Sequence, residues 1–117
     1  MSKSDELEFI GHIYEELKFV IQATNSVSFD SFINDEILKR AVVRALEIVG
    51  EATKNLSLDF RLKYNQVPWK SMAGMRDKLI HDYMGVDYNL VFKTAKENVP
   101  ELLDLIELII TKNNKIE

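Results

Sequence analysis

Apolar residues recur at three- and four-residue steps along most of the chain, which is the spacing of one buried face on an α-helix. Runs of β-branched residues are short, and only two prolines and four glycines interrupt the pattern. No segment shows the convincing two-residue alternation of a half-buried strand. The pattern therefore predicts an all-α fold with helix nearly throughout and no strand.

The pattern divides into helical segments joined by short links. We predict helices over about 4–23, from a cap at Asn34 or Asp35 to Leu56, from Pro68 to Gly85, from Asp87 to Asn98, and from Pro100 to Lys112. A short helical turn is expected at 28–33, and one more within the irregular segment 57–66. Pro68 suits the first position of a helix, and Gly85 suits its left-handed stop. Short links imply an antiparallel bundle of four to five helices, and 117 residues suit a single domain over 1–117.

The helical pattern also predicts part of the hydrophobic core. The first helix is expected to bury Leu7, Ile10, Tyr14, Leu17, Val20 and Ile21. Trp69 is expected in the core rather than on a surface that stacks nucleic-acid bases.

Composition limits the chemistry and the cellular location that we expect for this protein. The chain has no cysteine, so disulfides, thiolate nucleophiles and sulfur-ligated metals are excluded. The polar, acidic start does not have the apolar core of a signal peptide, and the apolar run 102–110 is broken by Asp104 and Glu107 and is too short to span a bilayer. We therefore expect a protein that is not exported, is not a membrane protein and lies in the cytoplasm.

A net charge of −4 argues against broad electrostatic capture of nucleic acid. Any positive potential must then be local. One candidate cluster contains Lys70, Arg76, Lys78 and His81. A second contains Lys39, Arg40 and Arg44, where a solvated surface of mixed charge is the simpler interpretation.

The segment 76–83 carries the most informative chemistry, because it holds a fixed cation, an imidazole and a phenol. On one continuous helix Arg76 would lie in the middle of an apolar stripe formed by Trp69, Met72, Ile80 and Tyr83. An unpaired cation there is expensive. Arg76 must therefore meet a carboxylate, a ligand phosphate or a second subunit.

His81 is the candidate proton donor of this segment. Asp77 precedes it by one helical turn and could orient or charge the imidazole, and the nearby helix end would also favour a cation. On one straight helix, however, Arg76 and His81 point about 140° apart. Either the helix loosens before Gly85, or the site is shared between two chains. The other histidine, His12, has no such neighbours and is expected to be structural or exposed.

Other catalytic chemistries are not supported by the residues present. The chain has no Glu-x-x-His pair for a di-metal bundle, no phosphate-binding glycine loop, no zinc motif and no Ser-His-Asp elbow. We therefore expect no metal and no cofactor. Acid–base catalysis by side chains is favoured.

The motif also resembles a known family. An Arg, four to six residues, a His, one residue and a Tyr is the pattern of HEPN-domain proteins, and Arg76, His81 and Tyr83 match it. An Asn or Asp commonly follows that Arg, as Asp77 does here. The blocks 44–52, 67–70, 74–76 and 81–87 are similar to the HepT branch of that family, and the resemblance covers nearly the whole chain.

The resemblance implies a HEPN-like helical bundle and a metal-independent RNA endonuclease that is the toxin of a type VII toxin–antitoxin pair. It implies that Arg76 and His81 are catalytic, with Asp77 and Tyr83 in support, in a cleft shared by a homodimer through the helix that carries Arg76 and His81. It also implies a partner, a minimal nucleotidyltransferase antitoxin that modifies Tyr83.

Two other interpretations of the chain remain open. The first is a non-catalytic HEPN binding module that docks a nucleotidyltransferase and binds nucleotide. It would use the same phosphate-binding groups. The second is a purely structural helical dimer.

Overall fold

The computed structural model describes residues 2–81 and 85–114, and most of them are helical. In chain order the elements are α1 (Lys3–Thr24), α2 (Phe29–Asn34), α3 (Glu36–Lys54), α4 (Leu58–Lys63), α5 (Trp69–Ala73), α6 (Met75–Leu79), β1 (Ile80–His81), β2 (Gly85–Val86), α7 (Tyr88–Lys93), a π-helical turn (Thr94–Asn98) and α8 (Val99–Asn114). The predicted all-α helical bundle is confirmed. The expectation of no strand is wrong in one place, where β1 and β2 form a small sheet.

Helix α1 packs against both α3 and α8, and its buried face forms part of the hydrophobic core. Three residues predicted for this face are fully buried, namely Ile10, Leu17 and Val20. Ile13 is also fully buried although it was not predicted. The other three predicted residues are half-buried, namely Leu7, Tyr14 and Ile21. The buried face is thus rotated slightly from the predicted one.

Trp69 anchors the start of α5 in the core. Its side chain is 5% exposed, and its indole Nε1 donates hydrogen bonds to the backbone oxygens of Tyr64 at 3.0 Å and Arg61 at 3.2 Å. The Tyr64 hydroxyl in turn accepts a hydrogen bond from the Asn113 side chain at 3.1 Å. The prediction of a core tryptophan is confirmed, and the segment between α4 and α5 is tied to α8.

The predicted helix from Pro68 to Gly85 is wrong beyond Leu79. The helix is interrupted at Gly74, between α5 and α6, and α6 ends at Leu79. Ile80 then has extended backbone angles, and β1 pairs antiparallel with β2. The backbone N–H of Asp87 donates to the oxygen of Leu79 at 2.8 Å. These bonds satisfy backbone groups that a continued helix would otherwise have paired.

Residues that the sequence marks as helix boundaries keep a boundary role. Asp35 caps α3, and the Asp87 side chain accepts the backbone N–H of Leu90 at the start of α7, as predicted. Gly85 has a φ of +75°, so the predicted left-handed glycine is present, but in a hairpin rather than at a helix end. Pro68 lies one residue before the helix and not at its first position.

The two helices predicted for the C-terminal part are joined into one helical run from Tyr88 to Asn114. The π-helical turn Thr94–Asn98 replaces the predicted break. Pro100 explains it, because a proline ring clashes with the carbonyl four residues earlier in a regular α-helix, and a wider turn relieves that clash. Within the described residues, no helix is both long and apolar enough to cross a membrane.

Gly50 brings α3 very close to the backbone of α5. A Cβ atom built at this position would lie 3.2 Å from the carbonyl oxygen of Met72 and 3.6 Å from that of Ala73. Any side chain here would push against backbone at the point where α5 ends. Gly50 therefore fixes the distance between α3 and the segment that leads into α6.

We predict that Gly50→Ala lowers the free energy of unfolding. Removing a helical glycine gains about 0.5–1 kcal/mol, but overpacking against a backbone carbonyl costs about 1–3 kcal/mol. Gly11→Ala is the matched control, because a Cβ there meets nothing within 4 Å, and it should stabilise the protein. Urea unfolding of the three proteins measures the difference. A Gly50→Ala protein as stable as Gly11→Ala would contradict the proposed contact.

Candidate active site

Arg76 is paired with a carboxylate on α3. Its Nε lies 3.5 Å from Oε2 of Glu47, and the two side chains are 47% and 25% exposed respectively. The sequence predicted a carboxylate, a ligand phosphate or a second subunit as the partner of Arg76. In the structure the partner is a carboxylate. Arg76 is not enclosed by an apolar stripe, since about half of its side chain faces solvent.

The geometry of this pair leaves the guanidinium available to a ligand. Charge-assisted N–H···O bonds are usually about 2.7–2.9 Å long, so the 3.5 Å contact is loose. A guanidinium has five N–H donors, and Glu47 approaches it at Nε. The remaining donors can meet an anion such as a phosphate.

Glu47 is the one site residue that sequence reasoning did not single out. A signal for it was present in the helical pattern. Val43 precedes it by one turn and Gly50 follows it by about one turn, and both are buried. A carboxylate between two buried positions of the same face is expected to have a partner. That partner could not be named, because Arg76 is distant in the chain.

His81 lies on β1, not on a helix. Its side chain is exposed, and it lines a shallow depression together with Gly85, Val86 and Asp87. The helix ends at Leu79, so the predicted 140° separation of Arg76 and His81 on one helix does not apply. Of the two alternatives considered, loosening of the helix before Gly85 has occurred.

The predicted link from Asp77 to His81 loses its structural basis. The one-turn spacing requires both residues to be helical, but only Asp77 is. Asp77 is exposed, and no described residue forms an ion pair with it or a hydrogen bond with the His81 imidazole. The prediction for Tyr83 falls at a position outside the described residues. The expected position of Tyr83 on the same helical face as Arg76 assumed one continuous helix, but α6 ends at Leu79.

The two candidate cationic clusters differ in how far they are neutralised. Lys39 forms an ion pair with Glu36 at 2.8 Å, donates to the Ile33 backbone oxygen and lies over the Tyr88 ring, while Arg40 also pairs with Glu36. The hydrogen bond from Lys39 holds the pKa of the Glu36 carboxyl below its usual value. Two members of this cluster are thus paired with an acidic neighbour, which fits the simpler interpretation of a mixed-charge surface, and Arg44 is exposed.

The cluster around Arg76 is more open. Lys70, Arg76, Lys78 and His81 are all exposed, and they lie on the consecutive elements α5, α6 and β1. Among the described residues, neither Lys70 nor Lys78 has an ion-pair partner. Within the same residues, no group of three or more acidic or histidine side chains is arranged to hold a metal ion.

The fold and this cluster define a class: a small, mostly helical domain with an exposed arginine and an exposed histidine on the consecutive elements α6 and β1. Residues 13–109 match the family described as Ribonuclease HepT-like. The chain therefore belongs to the HepT-like ribonuclease family. The recognition made from the sequence is confirmed.

Individual relatives agree with this assignment. The chain is 47% identical over 104 residues to "Putative RNase TTE0752" of Caldanaerobacter subterraneus subsp. tengcongensis, a match that covers 89% of this chain and 93% of the relative. It is 44% identical over 109 residues to "Putative RNase MJ1380" of Methanocaldococcus jannaschii, covering 93% and 100%. It is 42% identical over 100 residues to "Probable ribonuclease HepT" of Thermococcus cleftensis, covering 86% and 91%. No solved structure gives a significant match.

Proposed function

We propose that this HepT-like ribonuclease is a metal-independent RNA endonuclease whose catalytic residues are Arg76 and His81. The proposal rests on the half-exposed guanidinium of Arg76, which contacts Glu47 only loosely. Arg76 is on α6, and the exposed His81 follows it on β1. Membership of a ribonuclease family supports RNA as the substrate.

The reaction is a transesterification within the RNA strand. The 2′-oxygen attacks the adjacent phosphorus and loses its proton, while the bond from phosphorus to the 5′-oxygen of the next nucleotide breaks. His81 donates a proton to the departing 5′-oxygen, and the proton of the 2′-hydroxyl passes to solvent. Arg76 stabilises the negative charge that grows on the phosphoryl oxygens. The products are a 2′,3′-cyclic phosphate and a 5′-hydroxyl. Because side chains supply both functions, the mechanism needs no metal ion.

Glu47 adds a positioning role to this mechanism. A guanidinium on a flexible side chain must be held near one orientation to stabilise a transition state. Glu47 provides that restraint from α3, and its 3.5 Å contact is loose enough for a phosphate to compete. The orienting role first assigned to Asp77 is not part of the mechanism, because its helical geometry is absent.

The first functional prediction concerns cleavage without metal. We expect purified protein to cleave single-stranded RNA in excess chelator, and His81→Ala to lower the rate by at least about 100-fold, since a general acid is lost. His12→Ala is the matched control, as His12 is exposed on α1 away from this cluster in the chain. Gel analysis of labelled RNA and of its termini gives the rates and the product chemistry.

Two outcomes would reject this mechanism. Strict dependence on an added divalent ion would remove the metal-independent step. Full activity of a folded His81→Ala protein would remove His81 from catalysis. RNA binding without cleavage by the wild-type protein would favour the alternative, a non-catalytic binding module.

We further propose that two copies of the chain form a homodimer that shares the cleft. The support is the openness of the site in one chain. His81 lines only a shallow depression, and Arg76 is half-exposed, so one chain excludes little water from the reacting groups. A second copy placed over α6 and β1 would enclose them, as the resemblance to HEPN proteins implies.

Mixed dimers test this arrangement. Arg76→Ala and His81→Ala chains should each be inactive alone. If Arg76 of one chain acts with His81 of the other, random subunit exchange makes half of the dimers hybrids with one intact site each, so about a quarter of the wild-type rate should return. Light scattering should give the mass of a dimer for each protein. A monomeric mass for the wild-type protein, or no recovery on mixing despite proven exchange, would contradict a shared cleft.

The last part of the proposal is regulatory. We propose that the protein is the toxin of a type VII toxin–antitoxin pair and that a minimal nucleotidyltransferase antitoxin modifies Tyr83. The support is the position of Tyr83 in the sequence, two residues after His81. A nucleotide attached there would carry its own phosphate, which could compete with RNA for the cationic groups.

Co-production with such a partner tests the regulatory proposal. We expect one added nucleotide mass on the peptide that contains Tyr83, together with loss of RNA cleavage. Tyr83→Phe should escape both effects. Tyr88→Phe is the matched control, because Tyr88 follows five residues later in the chain. Mass spectrometry locates the modification. Addition confined to Tyr64 or Tyr88, or none at all, would overturn the role of Tyr83.

A further inference from the structure

A cavity lies next to α6, the helix that carries Arg76. It is a groove of about 410 Å³ between α5 and α6 on one side and the π-helical turn and α8 on the other. Its apolar lining includes Met72, Met75, Leu79 and Leu102, all of which are buried. Its volume is within the range of small-molecule sites.

Polar side chains surround this apolar lining. Gln66 and Asn98 contribute amides, Ser71 and Thr94 contribute hydroxyls, Lys78 contributes an ammonium group and Glu101 contributes a carboxylate. Within the described part of the chain, none of these six side chains has a hydrogen-bond or ion-pair partner. Thr94 is buried, and the other polar residues are exposed at the rim. An apolar cavity with a few polar groups at its rim has the usual composition of a small-molecule site.

The π-helical turn contributes directly to the groove. Its first and last residues, Thr94 and Asn98, both line the cavity. Such turns are rare and frequently occur at functional sites. Pro100 accounts for the presence of the turn, and the side chains of the turn form part of the groove wall.

The groove also shares an element with the catalytic residues. Lys78 and Leu79 line it from α6, which carries Arg76, and His81 follows on β1. An RNA strand with its scissile phosphate at Arg76 would therefore have its neighbouring nucleotide close to the groove. Lys78 supplies a second cation on the same short helix.

The chemistry of the groove fits a nucleobase. Methionine sulfur and leucine methyl groups can lie against the flat face of an aromatic ring. Asn and Gln amides each donate and accept hydrogen bonds, which lets them pair with the edge of a base. We propose that the groove binds one base of the RNA next to the scissile bond. This inference rests on the proposed ribonuclease function and adds a specificity subsite to it.

Base deletion in the substrate tests the subsite. Single-turnover cleavage is measured on a short RNA in which each nucleotide flanking the scissile bond is replaced in turn by an abasic ribose. Wild-type protein should lose about tenfold in rate at one of these positions. On intact RNA, the Asn98→Leu and Gln66→Leu proteins should cleave about tenfold more slowly than wild type. On RNA without that base, they should cleave at the same rate as wild type.

Matched controls separate the groove from general surface effects. Asn114→Leu and Gln22→Leu replace the same residue types at exposed positions that do not line the groove, and they should cleave like wild type. Lys78→Gln should instead slow cleavage of intact and abasic RNA equally, because a phosphate contact carries no base information. Thermal unfolding by circular dichroism verifies that each variant is folded.

Three results would count against these proposals in different ways. If wild-type protein cleaves RNA but folded groove variants match their controls, the subsite is wrong and the ribonuclease function stands. If the groove variants change the oligomeric mass in light scattering, the groove is covered by a second copy and not by a base. If wild-type protein cleaves no RNA at all, the proposed function fails and the subsite fails with it.

Discussion

The contact between α3 and α5 at Gly50 sets the position of the whole candidate site. With no side chain at this position, α3 approaches the backbone of α5 directly, next to the carbonyl oxygens of Met72 and Ala73. Helix α5 ends at Gly74 immediately afterwards, and α6 begins at the next residue. Glu47 lies about one turn before Gly50 on α3, so the close approach also brings its carboxylate to Arg76. One contact in the core therefore determines a distance at the surface.

The Glu47–Arg76 pair contributes to orientation more than to stability. Ion pairs this exposed are typically worth no more than about 1 kcal/mol, whereas burial of one large apolar side chain contributes about 1.5–3 kcal/mol. The core of buried side chains from α1, α3, α5 and α8 stabilises the fold. Because the pair contributes little to stability, a ligand can replace Glu47 at Arg76 at small cost to the fold. A half-exposed arginine also avoids the large desolvation cost of a buried charge.

The hairpin formed by β1 and β2 determines which way His81 faces. Side chains alternate between the two faces of a strand, and here Ile80 is half-buried against the core while His81 is exposed. A two-stranded hairpin is marginal on its own. This one is held by the packing of Ile80 and Val86 on the core and by the hydrogen bond from Asp87 to Leu79. The strand thus directs the imidazole away from the core that anchors it.

The pattern of the sequence determined the features that depend on neighbours within about one helical turn. These are the all-α class, the core role of Trp69, the caps at Asp35 and Asp87, and the left-handed glycine at Gly85. The motif residues Arg76 and His81 were likewise recognisable from their spacing, which also placed the chain in its family. The need of Arg76 for a partner followed from its charge alone.

Only the tertiary structure decided where α6 ends, which carboxylate meets Arg76, and how the last two predicted helices join. The strands β1 and β2 have two residues each, too few for an alternating pattern to be seen against helical spacing. Glu47 and Arg76 lie on different helices, and no local rule relates them. Apolar spacing specifies which face of a segment is buried, but packing between segments specifies what that face meets. A site built from two such segments is therefore visible only when the chain is folded.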